Sequence, residues 1–534
     1  MQSERPVTVA AEPFAPRRLE PAAPTPQARD KICTIDELAA AVDGLKNAGK
    51  TVVQAHGAFD LLHLGHVRHL EAARRLADVL IVTVTADEFV SKGPGRPVFS
   101  EQLRAEMLAA LEYVDWVAVN PSPDAVSAIS TIKPSIYIKG QDYLNPQGDV
   151  TGKIVREREA IESCGGHIAF TDEITFSSSH LINRHVNVFE AHVHEHLRKL
   201  REDGGLARLI ELIESIKDYR VLFVGDAIVD EYQYVLPMGK SPKENMIAAR
   251  FQDNELFAGG VFAAANTLAS FCREIGIITC LGEGDSYEDF IREQLKPNVH
   301  MDVLWRPGAP TTRKCRFIDP SYMRKLFEVY FMDDEPLTKA LEQSLNAKIE
   351  EVTPAYDLVV VTDFGHGLIS QSAVSALTSS ARFLAVNAQT NSANAGFNLI
   401  TKYPRADYLC IDGPEARLAM QDRISSLGDI ARDKLAKMID CSKIIVTQGK
   451  DGCVTFEAGQ PIHTIPALAE HVVDTVGAGD AFFAATAPLV HAGGAMHNVG
   501  FIGNVVGALK VATVGHRNPV DKVSVIKAIM GLLK

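Results

Sequence analysis

The stretch Thr51-Val-Val-Gln-Ala-His-Gly-Ala-Phe-Asp-Leu-Leu-His-Leu-Gly-His66 decides the fold of the first part of the chain. It begins as an apolar run, breaks at Gly57 and ends where a helical pattern starts. A strand that turns into a helix favours phosphate binding, because the first helical turn presents unpaired N–H groups and a positive dipole end. His63 and His66 lie three residues apart across that turn, so their side chains are predicted to point into one volume.

Apolar runs and helical patterns alternate beyond this stretch. Strands are predicted at 51–55, 79–85, 114–119, 135–139 and 167–171, and helices at 66–77, 100–112, 123–132 and 151–164. A further helix is predicted to start at Thr34-Ile-Asp-Glu37, which has the form of a capping box. The alternation predicts a Rossmann-like α/β domain with a parallel sheet. Ligands of such sheets bind at the carboxyl ends of the strands. The residues at or just after predicted strand ends are His56, Lys92, Lys139 and Asp142.

Composition limits the class of protein. With 534 residues, the chain is too long for one ordinary core, and two unequal domains are expected. A net charge of -13 argues against a general binder of nucleic acid or of anionic membranes. Eight scattered cysteines form no CxxC pair, and there is neither a membrane-spanning run nor a signal peptide. These features predict a cytoplasmic protein with reduced thiols and no membrane partner.

The domain boundaries follow from changes in pattern. Residues 1–30 are rich in Pro and Ala and are predicted to be a disordered tail, followed by the first α/β domain at 31–184. Residues 185–217 are predicted to be a helical linker between domains. His192 and His196 would share a helix face there, but two histidines lack the other ligands of a metal site, which favours a solvated helix.

A second α/β domain is predicted at 218–534, starting with the strand that ends in Gly225-Asp226. Short strands at 231–258 and 311–332 predict a small β lid on a larger body. The remaining predicted strands are 357–362, 382–387, 407–411 and 443–448, with helices at 413–420 and 427–439. The last two helices are predicted to begin near Gly477 and near His497.

The segment Asp474-Thr-Val-Gly-Ala-Gly-Asp480 is the second candidate site. Gly477, Ala478 and Gly479 allow a tight turn whose N–H groups aim at a transferring phosphoryl group. The helix that follows adds its dipole. Asp480 stands where a carboxylate could take the proton of an attacking hydroxyl. A Gly-rich helix start with a capping Asp is the alternative interpretation of this segment taken alone.

The first domain resembles the HxGH cytidylyltransferase-like family over about residues 50–183. The resemblance is carried by His56-Gly57-Ala-Phe59-Asp, His63-x-Gly-His66, Lys92, Glu101-Gln-x-Arg104, Lys139-Gly-x-Asp142 and Ser177-Ser178-Ser179. It implies nucleotidyl transfer, in which the two histidines of the HxGH motif stabilise the α-phosphate and Lys92 contacts phosphate. It further implies that the three serines open a helix that contacts the nucleotide. Arg104 would bind the nucleotide or its phosphates, with a surface salt bridge as the alternative.

The second domain resembles the ribokinase-like (PfkB) sugar kinase family from about 219 to 530. The matching segments are Gly225-Asp226 with Asp230, Gly259-Gly260, Thr362-Asp363, Asp412-x-x-Glu415, Thr447-x-Gly449-x-x-Gly452 and the 474–480 segment. The resemblance implies that Asp480 is the catalytic base, and that Gly477, Ala478 and Gly479 form the anion hole. Asp226 and Asp230 would hold sugar hydroxyls, and Glu415 would organise Mg²⁺ through water. Gly259 and Gly260 would belong to the sugar site. The nucleotide would be bound by Thr447, Gly449 and Gly452. For Asp363, a role as a turn residue at the strand end is the alternative.

Three positions depart from the kinase pattern. The Asn that the family carries shortly after its double glycine is missing or displaced to Asn266. Asn387-Ala-Gln-Thr-Asn391 stands where relatives carry Asp-Pro, and Asp412 replaces an Asn. These changes could alter sugar or metal binding, but they spare Asp480 and its glycines.

Both domain types occur together in the bifunctional heptose-7-phosphate kinase/heptose-1-phosphate adenylyltransferases, which this chain resembles with the domain order reversed. The resemblance implies ATP as substrate, Mg²⁺ as cofactor, a possible monovalent cation, and a homodimer joined by the lids. Sugar phosphates and nucleotides would be the small-molecule partners, with CTP an alternative nucleotide for the first domain. Two other hypotheses stay open: a cytidylyltransferase fused to a kinase for another sugar or polyol, and a binding or regulatory protein with one inactive domain.

Overall fold

The computed structural model describes residues 28–90, 97–140, 153–171, 189–333, 335–469 and 472–533. The chain divides into two compact units, Met1–Phe89 with Phe99–Thr175 and Phe176–Lys534 with Val90–Val98. Across the described ranges, no helix has both the length and the apolar character that crossing a bilayer requires.

The first unit is built on a six-stranded parallel sheet. Its strands are β1 (Ile32–Cys33), β2 (Val52–Gly57), β3 (Val79–Thr85), β4 (Trp116–Asn120), β5 (Ile136–Gly140) and β6 (His167–Thr171). Its helices are α1 (Ile35–Asn47), α2 (Leu64–Arg74), α3 (Glu101–Ala109), α4 (Val126–Ile132) and α5 (Lys153–Ser163). The strand order is β1-β4-β3-β2-β5-β6, and every pairing is parallel.

The Rossmann-like prediction for this unit is confirmed. Every residue of β3 is buried, as expected of a central strand covered by helices on both faces. Thr34 and Glu37 form the predicted capping box, which sets the start of α1. One prediction was too broad at its edge: Ala28–Lys31 is a 3₁₀ helix, whereas residues 28–30 were assigned to the disordered tail. The Lys31 ammonium fixes that turn by donating to the carbonyls of Leu111 and Val114.

The second unit has a nine-stranded main sheet. Its strands are β7 (Arg220–Gly225), β10 (Glu274–Gly284), β11 (Val299–Pro310), β14 (Leu358–Asp363), β15 (Leu384–Ala388), β16 (Tyr408–Asp412), β17 (Lys443–Thr447), β18 (Cys453–Glu457) and β19 (His463–Ile465). The strand order is β11-β10-β7-β14-β15-β16-β17-β18-β19. The strands run parallel as far as β17, and β18 and β19 are antiparallel.

A separate four-stranded sheet, which we call the lid sheet, confirms the predicted insertion. It consists of β8 (Ala227–Lys240), β9 (Ile247–Gly260), β12 (Arg313–Asp319) and β13 (Arg324–Phe331), in the order β13-β12-β8-β9. The prediction of short strands is wrong for β8 and β9, which have 14 residues each. Their length follows from continuous antiparallel pairing, which two bulges interrupt without ending it.

Helices cover the main sheet. They are α6 (Ala191–Glu202), α7 (Gly205–Ser215), α8 (Val261–Leu268), α9 (Glu288–Gln294), α10 (Lys339–Val352), α11 (Gln371–Ser380), α12 (Gly413–Met420), α13 (Leu427–Asp429), α14 (Ala436–Met438), α15 (Ala478–His491), α16 (Met496–Val511) and α17 (Lys522–Leu533). A π-helical segment, Ile430–Leu435, interrupts the helix predicted at 427–439. The helix α17 follows the two that were predicted to be last.

The predicted linker helices belong to the second unit instead of standing between domains. Leu209 and Ile213 of α7 are fully buried in the same apolar core as residues of the main sheet. Their side chains lie four residues apart, so one apolar stripe of the helix covers the core. His192 and His196 do not meet: His192 faces Glu190, and the His196 ring lies 6.1 Å from the Phe501 ring. The described residues contain no cluster of three or more potential metal ligands.

Candidate active sites

The turn after β2 places His56 at the carboxyl edge of the first sheet. Its Nδ1 lies 2.9 Å from the Thr83 hydroxyl on the neighbouring strand β3. Burial lowers the pKa of His56 to about 3, and the charge of Lys139 adds to the effect. Phe59 folds back under the turn with a φ of +46°, and its ring lies 3.3 Å from where a Cβ on Gly57 would stand. A side chain at Gly57 would therefore press on Phe59, which explains the glycine.

His63 and His66 occupy one volume, as their spacing predicted. Their rings stack with centroids 4.0 Å apart, and Phe59 meets His66 edge-on at 5.2 Å. His63 is also the N-cap of α2, because its Nδ1 accepts a hydrogen bond from the Gly65 N–H. A phosphate contact from His63 must therefore use Nε2. His63 can therefore cap the helix through Nδ1 and still contact a phosphate through Nε2.

Lys139 ends β5 at the same edge of the sheet. Its ammonium lies 3.1 Å from the buried Glu157 carboxylate, so part of its charge is already balanced within the protein. The same positive charge lowers the pKa values of His56 and of His69, whose values of about 3 and about 4 arise first from burial. These imidazoles are therefore neutral near pH 7. His69 was missed in the sequence; it follows His66 by three residues and its Nδ1 lies 2.7 Å from the Thr171 hydroxyl.

Arg104 does not lie where a nucleotide could reach it, which corrects the prediction of direct nucleotide binding. Its side chain is fully buried, so the alternative of a surface salt bridge is also wrong. The guanidinium donates to the Ala58, Thr85 and Phe99 carbonyls and to the Asp87 carboxylate. Arg104 therefore ties the turn after β2 to the end of β3 and acts on the site through the backbone. Five other predicted site residues lie outside the described residues: Lys92, Asp142, Ser177, Ser178 and Ser179.

In the second unit, the segment 474–480 forms the start of α15. Gly477 is the N-cap with a φ of +74°, and a Cβ there would lie 2.4 Å from the His516 ring. Both the backbone conformation and the contact require glycine. Ala478, Gly479 and Asp480 form the first turn, so their N–H groups have no partners within the helix, although that of Ala478 donates to the Thr475 carbonyl at 3.3 Å. The predicted anion hole and the predicted base therefore stand together at one helix start.

Asp480 has a neighbour that the sequence did not reveal. The amide Nε2 of Gln389 donates to Asp480 Oδ1 over 2.6 Å. Burial raises the pKa of Asp480, and the charge of His516 and the bond from Gln389 lower it. Gln389 follows β15 within the Asn387–Asn391 departure, so the segment that differs from the family pattern touches the candidate base. The position of Gln389 just after a strand of the parallel sheet was the one feature of the sequence that could have indicated a place near the site.

Asp226 is held differently from the sugar-binding role predicted for it. Its Oδ2 accepts the Phe364 N–H at 2.8 Å, and its Oδ1 accepts the Leu368 N–H at 3.3 Å. Burial, followed by repulsion from Asp363, raises the pKa of Asp226 to about 6. Asp226 is 4% exposed, and its carboxylate fixes the loop after β14. This geometry favours a structural function for Asp226.

Asp230 faces the candidate base from the lid sheet. Its carboxylate pairs with Arg316 and lies 3.4 Å from His516 Nε2. Burial alone would raise the pKa of Asp230, but these two partners bring it below its usual value. A Cβ on Gly259 would lie 2.0 Å from Asp230 Oδ2, and one on Gly260 would lie 2.7 Å from the Asp226 carbonyl. The two glycines therefore let the end of β9 approach both aspartates.

Glu415 stands at the start of α12 in a capping box with Asp412. Its Oε2 accepts the Asp412 N–H at 3.0 Å, and its Oε1 accepts the Thr390 N–H at 3.1 Å. Burial, followed by the charge of Asp412, raises the pKa of Glu415 to about 7, and Asp480 adds to the rise. Mg²⁺ favours carboxylate oxygen and keeps several of its waters. A single carboxylate near Asp480 fits an ion held through water and the phosphates of a nucleotide.

The residues predicted to bind ATP surround the end of β17. Thr447 ends this strand, and Gly449 starts a 3₁₀ turn with a φ of +56°. Gly452 has a φ of +87°, and a Cβ there would lie 2.0 Å from the Ile465 carbonyl. Gly452 therefore permits β18 to start close against β19. The two glycines set the shape of the loop. Contacts to a nucleotide would therefore come from backbone groups of the loop and from Thr447.

The loop after β15 is ordered by amide side chains. Asn391 and Asn394 both donate to the Phe364 carbonyl, and Asn398 donates to Asp363. Asp363 also pairs with Lys402 at 2.5 Å and accepts from the Tyr403 hydroxyl at 2.7 Å. Its carboxylate thus holds two loops together, which supports the turn interpretation of Asp363 over a direct one.

Comparison with known proteins gives two family matches. The model of the pfkB family carbohydrate kinases matches residues 219–523, and the cytidylyltransferase-like model matches residues 55–184. The bifunctional protein HldE of Methylobacillus flagellatus is 41% identical over 157 residues, which is 29% of this chain and 31% of that protein. HldE of Syntrophotalea carbinolica is 39% identical over 148 residues, or 27% of this chain and 29% of the relative. The chain therefore spans about a third of the length of these curated relatives.

Solved structures resemble part of the chain at low identity. Phosphofructokinase-2 from Escherichia coli in complex with potassium has a TM-score of 0.47 at 13% identity, covering 59% of this chain and all of that one (100%). Arabidopsis thaliana ribokinase has a TM-score of 0.43 at 19% identity, covering 59% of this chain and 99% of that one. The first unit has the cytidylyltransferase-like fold. Because the kinase family model spans more than half of the 534 residues, the chain belongs to the pfkB family of carbohydrate kinases.

Proposed function

We propose that the chain is a bifunctional sugar-phosphate kinase and sugar-1-phosphate nucleotidyltransferase. The observation that carries the proposal is that both units present a phosphate site at a helix start, each with its own chemical groups. His63 and His66 stack at the start of α2, and Asp480 stands in the first turn of α15. The match to bifunctional HldE proteins supports the pairing of two activities in one chain.

The kinase reaction is proposed to use Asp480 as base. Asp480 takes the proton of the acceptor hydroxyl, whose oxygen attacks the γ-phosphorus of ATP. The bond from that phosphorus to the bridging oxygen breaks, and ADP leaves. The first-turn N–H groups of α15 stabilise the charge that spreads over the transferring group. Mg²⁺, when bound near Glu415, neutralises the phosphates of the nucleotide. A monovalent cation is a further expectation from the family resemblance.

The transferase reaction is proposed to use the stacked histidines. An oxygen of the sugar 1-phosphate attacks the α-phosphorus of a nucleoside triphosphate, and pyrophosphate leaves. His63 Nε2 and the His66 ring stabilise the five-coordinate phosphorus, and the α2 dipole adds to the effect. The protein then needs little covalent chemistry beyond alignment and charge stabilisation.

For the substrate, we propose a heptose 7-phosphate that is phosphorylated at C1 and then adenylylated to ADP-heptose. The support is the motif resemblance together with the HldE matches, although the order of the two domains is proposed to be reversed from that of the known bifunctional enzymes. A kinase for another sugar or polyol, joined to a cytidylyltransferase, is the second candidate. The loop around Gln389 favours it, because a departure from the family pattern touches the base.

The test separates the two half-reactions. Purified protein with ATP, Mg²⁺ and D-glycero-D-manno-heptose 7-phosphate is expected to yield the 1,7-bisphosphate by mass spectrometry. With heptose 1-phosphate, ATP is expected to yield ADP-heptose faster than CTP yields the cytidine product. Absence of the bisphosphate removes the heptose kinase proposal, and a preference for CTP supports the second candidate.

A further inference from the structure

Lys314 is a buried cation on the lid sheet beside the candidate kinase site. It lies on β12 in direct register with Asp230 of β8, so both side chains leave the sheet on the same face. Lys314 is 6% exposed. Its positive charge lowers the pKa of Asp480, although burial is the first influence on that group. Lys314 therefore faces the space between the lid sheet and α15.

Four carboxylates lie near Lys314, and each accepts hydrogen bonds from other donors. Asp230 pairs with Arg316 and His516. Asp226 accepts N–H groups of the loop after β14. The third carboxylate, Glu328, lies 3.3 Å from Arg316 and accepts the Tyr330 hydroxyl at 2.5 Å. Asp480 accepts from Gln389 through one oxygen, and Lys314 forms no ion pair with any of these four carboxylates.

The ammonium of Lys314 lies near two aromatic rings. The Nζ lies 5.2 Å from the centre of the Tyr330 ring and 6.0 Å from that of Phe364. Within the described residues, it forms no ion pair and no hydrogen bond. Burial lowers the pKa of Lys314, and Arg316 lowers it further. A buried ammonium without a bonded counter-charge is costly, so such a group is expected to have an anionic ligand.

Other cations of this region are paired, which distinguishes Lys314. Lys325 lies 2.7 Å from Asp474, and Lys402 lies 2.5 Å from Asp363. These two ammonium groups hold loops around the site together. Lys314 holds no loops together in this way, because it forms no ion pair with a carboxylate of the described residues.

A small cleft beside His366 lies near Lys314, because the charge of Lys314 acts on the His366 imidazole. It has a volume of about 30 Å³, opens to solvent and is lined by Arg306, Thr312 and His366, among others. His366 is 7% exposed, and neither ring nitrogen has a hydrogen-bond partner among the residues that the structure describes. Burial, followed by the charge of Lys314, lowers the pKa of His366 to about 3. A neutral imidazole can donate one hydrogen bond to an anion beside the ammonium.

We propose that Lys314 and His366 bind the phosphate group carried by the acceptor sugar. The inference rests on the proposed kinase function and deepens it, because it names the residues that would bind the phosphate of the acceptor and so favour a sugar phosphate over a free sugar. The transferring phosphoryl group would instead meet the N–H groups of α15, whereas Lys314 belongs to the lid sheet and lies near the cleft. The acceptor hydroxyl would lie at Asp480 and the acceptor phosphate at Lys314.

The test compares Lys314→Met and Lys314→Arg with the wild-type chain and with Lys437→Met, whose lysine is 72% exposed. Loss of a charge-assisted bond to phosphate is expected to raise the KM for heptose 7-phosphate by about 10- to 100-fold in Lys314→Met. The KM for ATP is expected to change less than about 2-fold by the same reasoning, since no ATP contact is lost. Lys314→Arg should restore most of the affinity, and Lys437→Met should behave as wild type.

Two further arms separate the possible failures. Unphosphorylated heptose should bind wild type and Lys314→Met equally. If Lys314→Met loses affinity for both acceptors equally, or if only kcat falls, the inference is overturned. Lys314 would then be assigned to the transferring phosphoryl group. The second arm follows the thermal shift of the second unit with inorganic phosphate and needs no turnover. If wild type rejects heptose phosphate, the proposed function fails, but loss of the phosphate shift in Lys314→Met still supports the anion site. If inorganic phosphate shifts the melting temperature of wild type and Lys314→Met equally, or shifts neither, the proposed anion site is overturned.

Discussion

At the residue scale, the candidate base depends on an amide from another part of the chain. Gln389 lies 2.6 Å from Asp480 and donates to one oxygen, which leaves the other oxygen to take a proton. The bond favours the ionised carboxylate, so it opposes the effect of burial on the pKa of Asp480. Gln389 is therefore a positioning residue in the proposed kinase reaction.

Replacing Gln389 with Ala is expected to raise the pKa of Asp480. A base works when it is ionised, so the acid limb of kcat/KM for the kinase reaction should move to higher pH. At pH values above the new pKa, activity should fall only about 10-fold, since the base itself remains. Gln389→Glu should move the limb further, because a second carboxylate repels the first. The matched control is Gln371→Ala, at an exposed helix start. An unmoved acid limb in both Gln389 variants would contradict this account.

Arg104 is expected to affect stability more than substrate binding. Arg104→Met would leave the Ala58 and Thr85 carbonyls without their donor in a buried place. The cost should be about 3 kcal/mol in the free energy of unfolding of the first unit. Chemical denaturation followed by fluorescence measures it, with Arg75→Met, whose side chain is 74% exposed, as the control. A large rise in the KM for nucleotide with unchanged stability would restore the direct role predicted from the sequence.

At the element scale, the lid sheet carries apolar residues on its exposed surface. Phe251, Phe327 and Phe331 are 57%, 55% and 43% exposed, on strands that are otherwise well paired. They lie on the two edge strands of the sheet, and exposed apolar side chains of this size favour an interaction surface. We propose that the lid sheets of two chains pack on each other, in agreement with the homodimer expected from the family resemblance.

The double variant Phe251→Asp/Phe327→Asp is expected to be monomeric, because charges would be buried in the paired sheets. Light scattering at micromolar concentration measures the mass. Phe397→Asp is the matched control, since Phe397 is 92% exposed and lies outside the lid sheet. A wild-type chain that is monomeric throughout removes the proposal, and a dimeric double variant moves the interface elsewhere.

Elements with a strong local pattern were predictable from sequence, and those fixed by distant contacts were not. The strand β14 is a short run of mostly β-branched apolar residues ending in Thr362-Asp363, and its length and composition indicate a buried strand. The lengths of β8 and β9 depend on pairing with each other, so their polar, alternating residues gave only short strands. The helices α6 and α7 are amphipathic, and sequence does not tell which core an apolar stripe covers. Leu209 lies in the core of the kinase unit, and only the fold shows this.

The candidate sites divide in the same way. His63, His66 and Asp480 are close in sequence to the helix starts that position them, so motif and spacing located them. Gln389 lies 91 residues from Asp480, and no local sequence pattern indicates that the two side chains are in contact. Arg104 was placed in the right unit, but its burial depends on carbonyls from three separate segments. Long-range hydrogen bonds of this kind carry no periodicity in the sequence.

At the scale of the whole molecule, the central claim is that one chain carries two independent phosphate reactions. Each unit has its own sheet and its own apolar cores, so a change at one helix start leaves the other fold intact. Asp480→Asn is expected to lower the kinase rate by about 10³-fold, by loss of the general base. His66→Ala should lower nucleotidyl transfer by about 10²-fold or more, by loss of charge stabilisation at the α-phosphate.

Assaying both half-reactions in these two variants, with products identified by mass spectrometry, tests the claim most directly. We expect Asp480→Asn to form no heptose bisphosphate from heptose 7-phosphate and ATP, yet to convert heptose 1-phosphate to the nucleotide sugar at the wild-type rate. His66→Ala should show the opposite pattern. A wild-type chain without either activity, or an Asp480→Asn variant that phosphorylates as wild type does, would contradict the account.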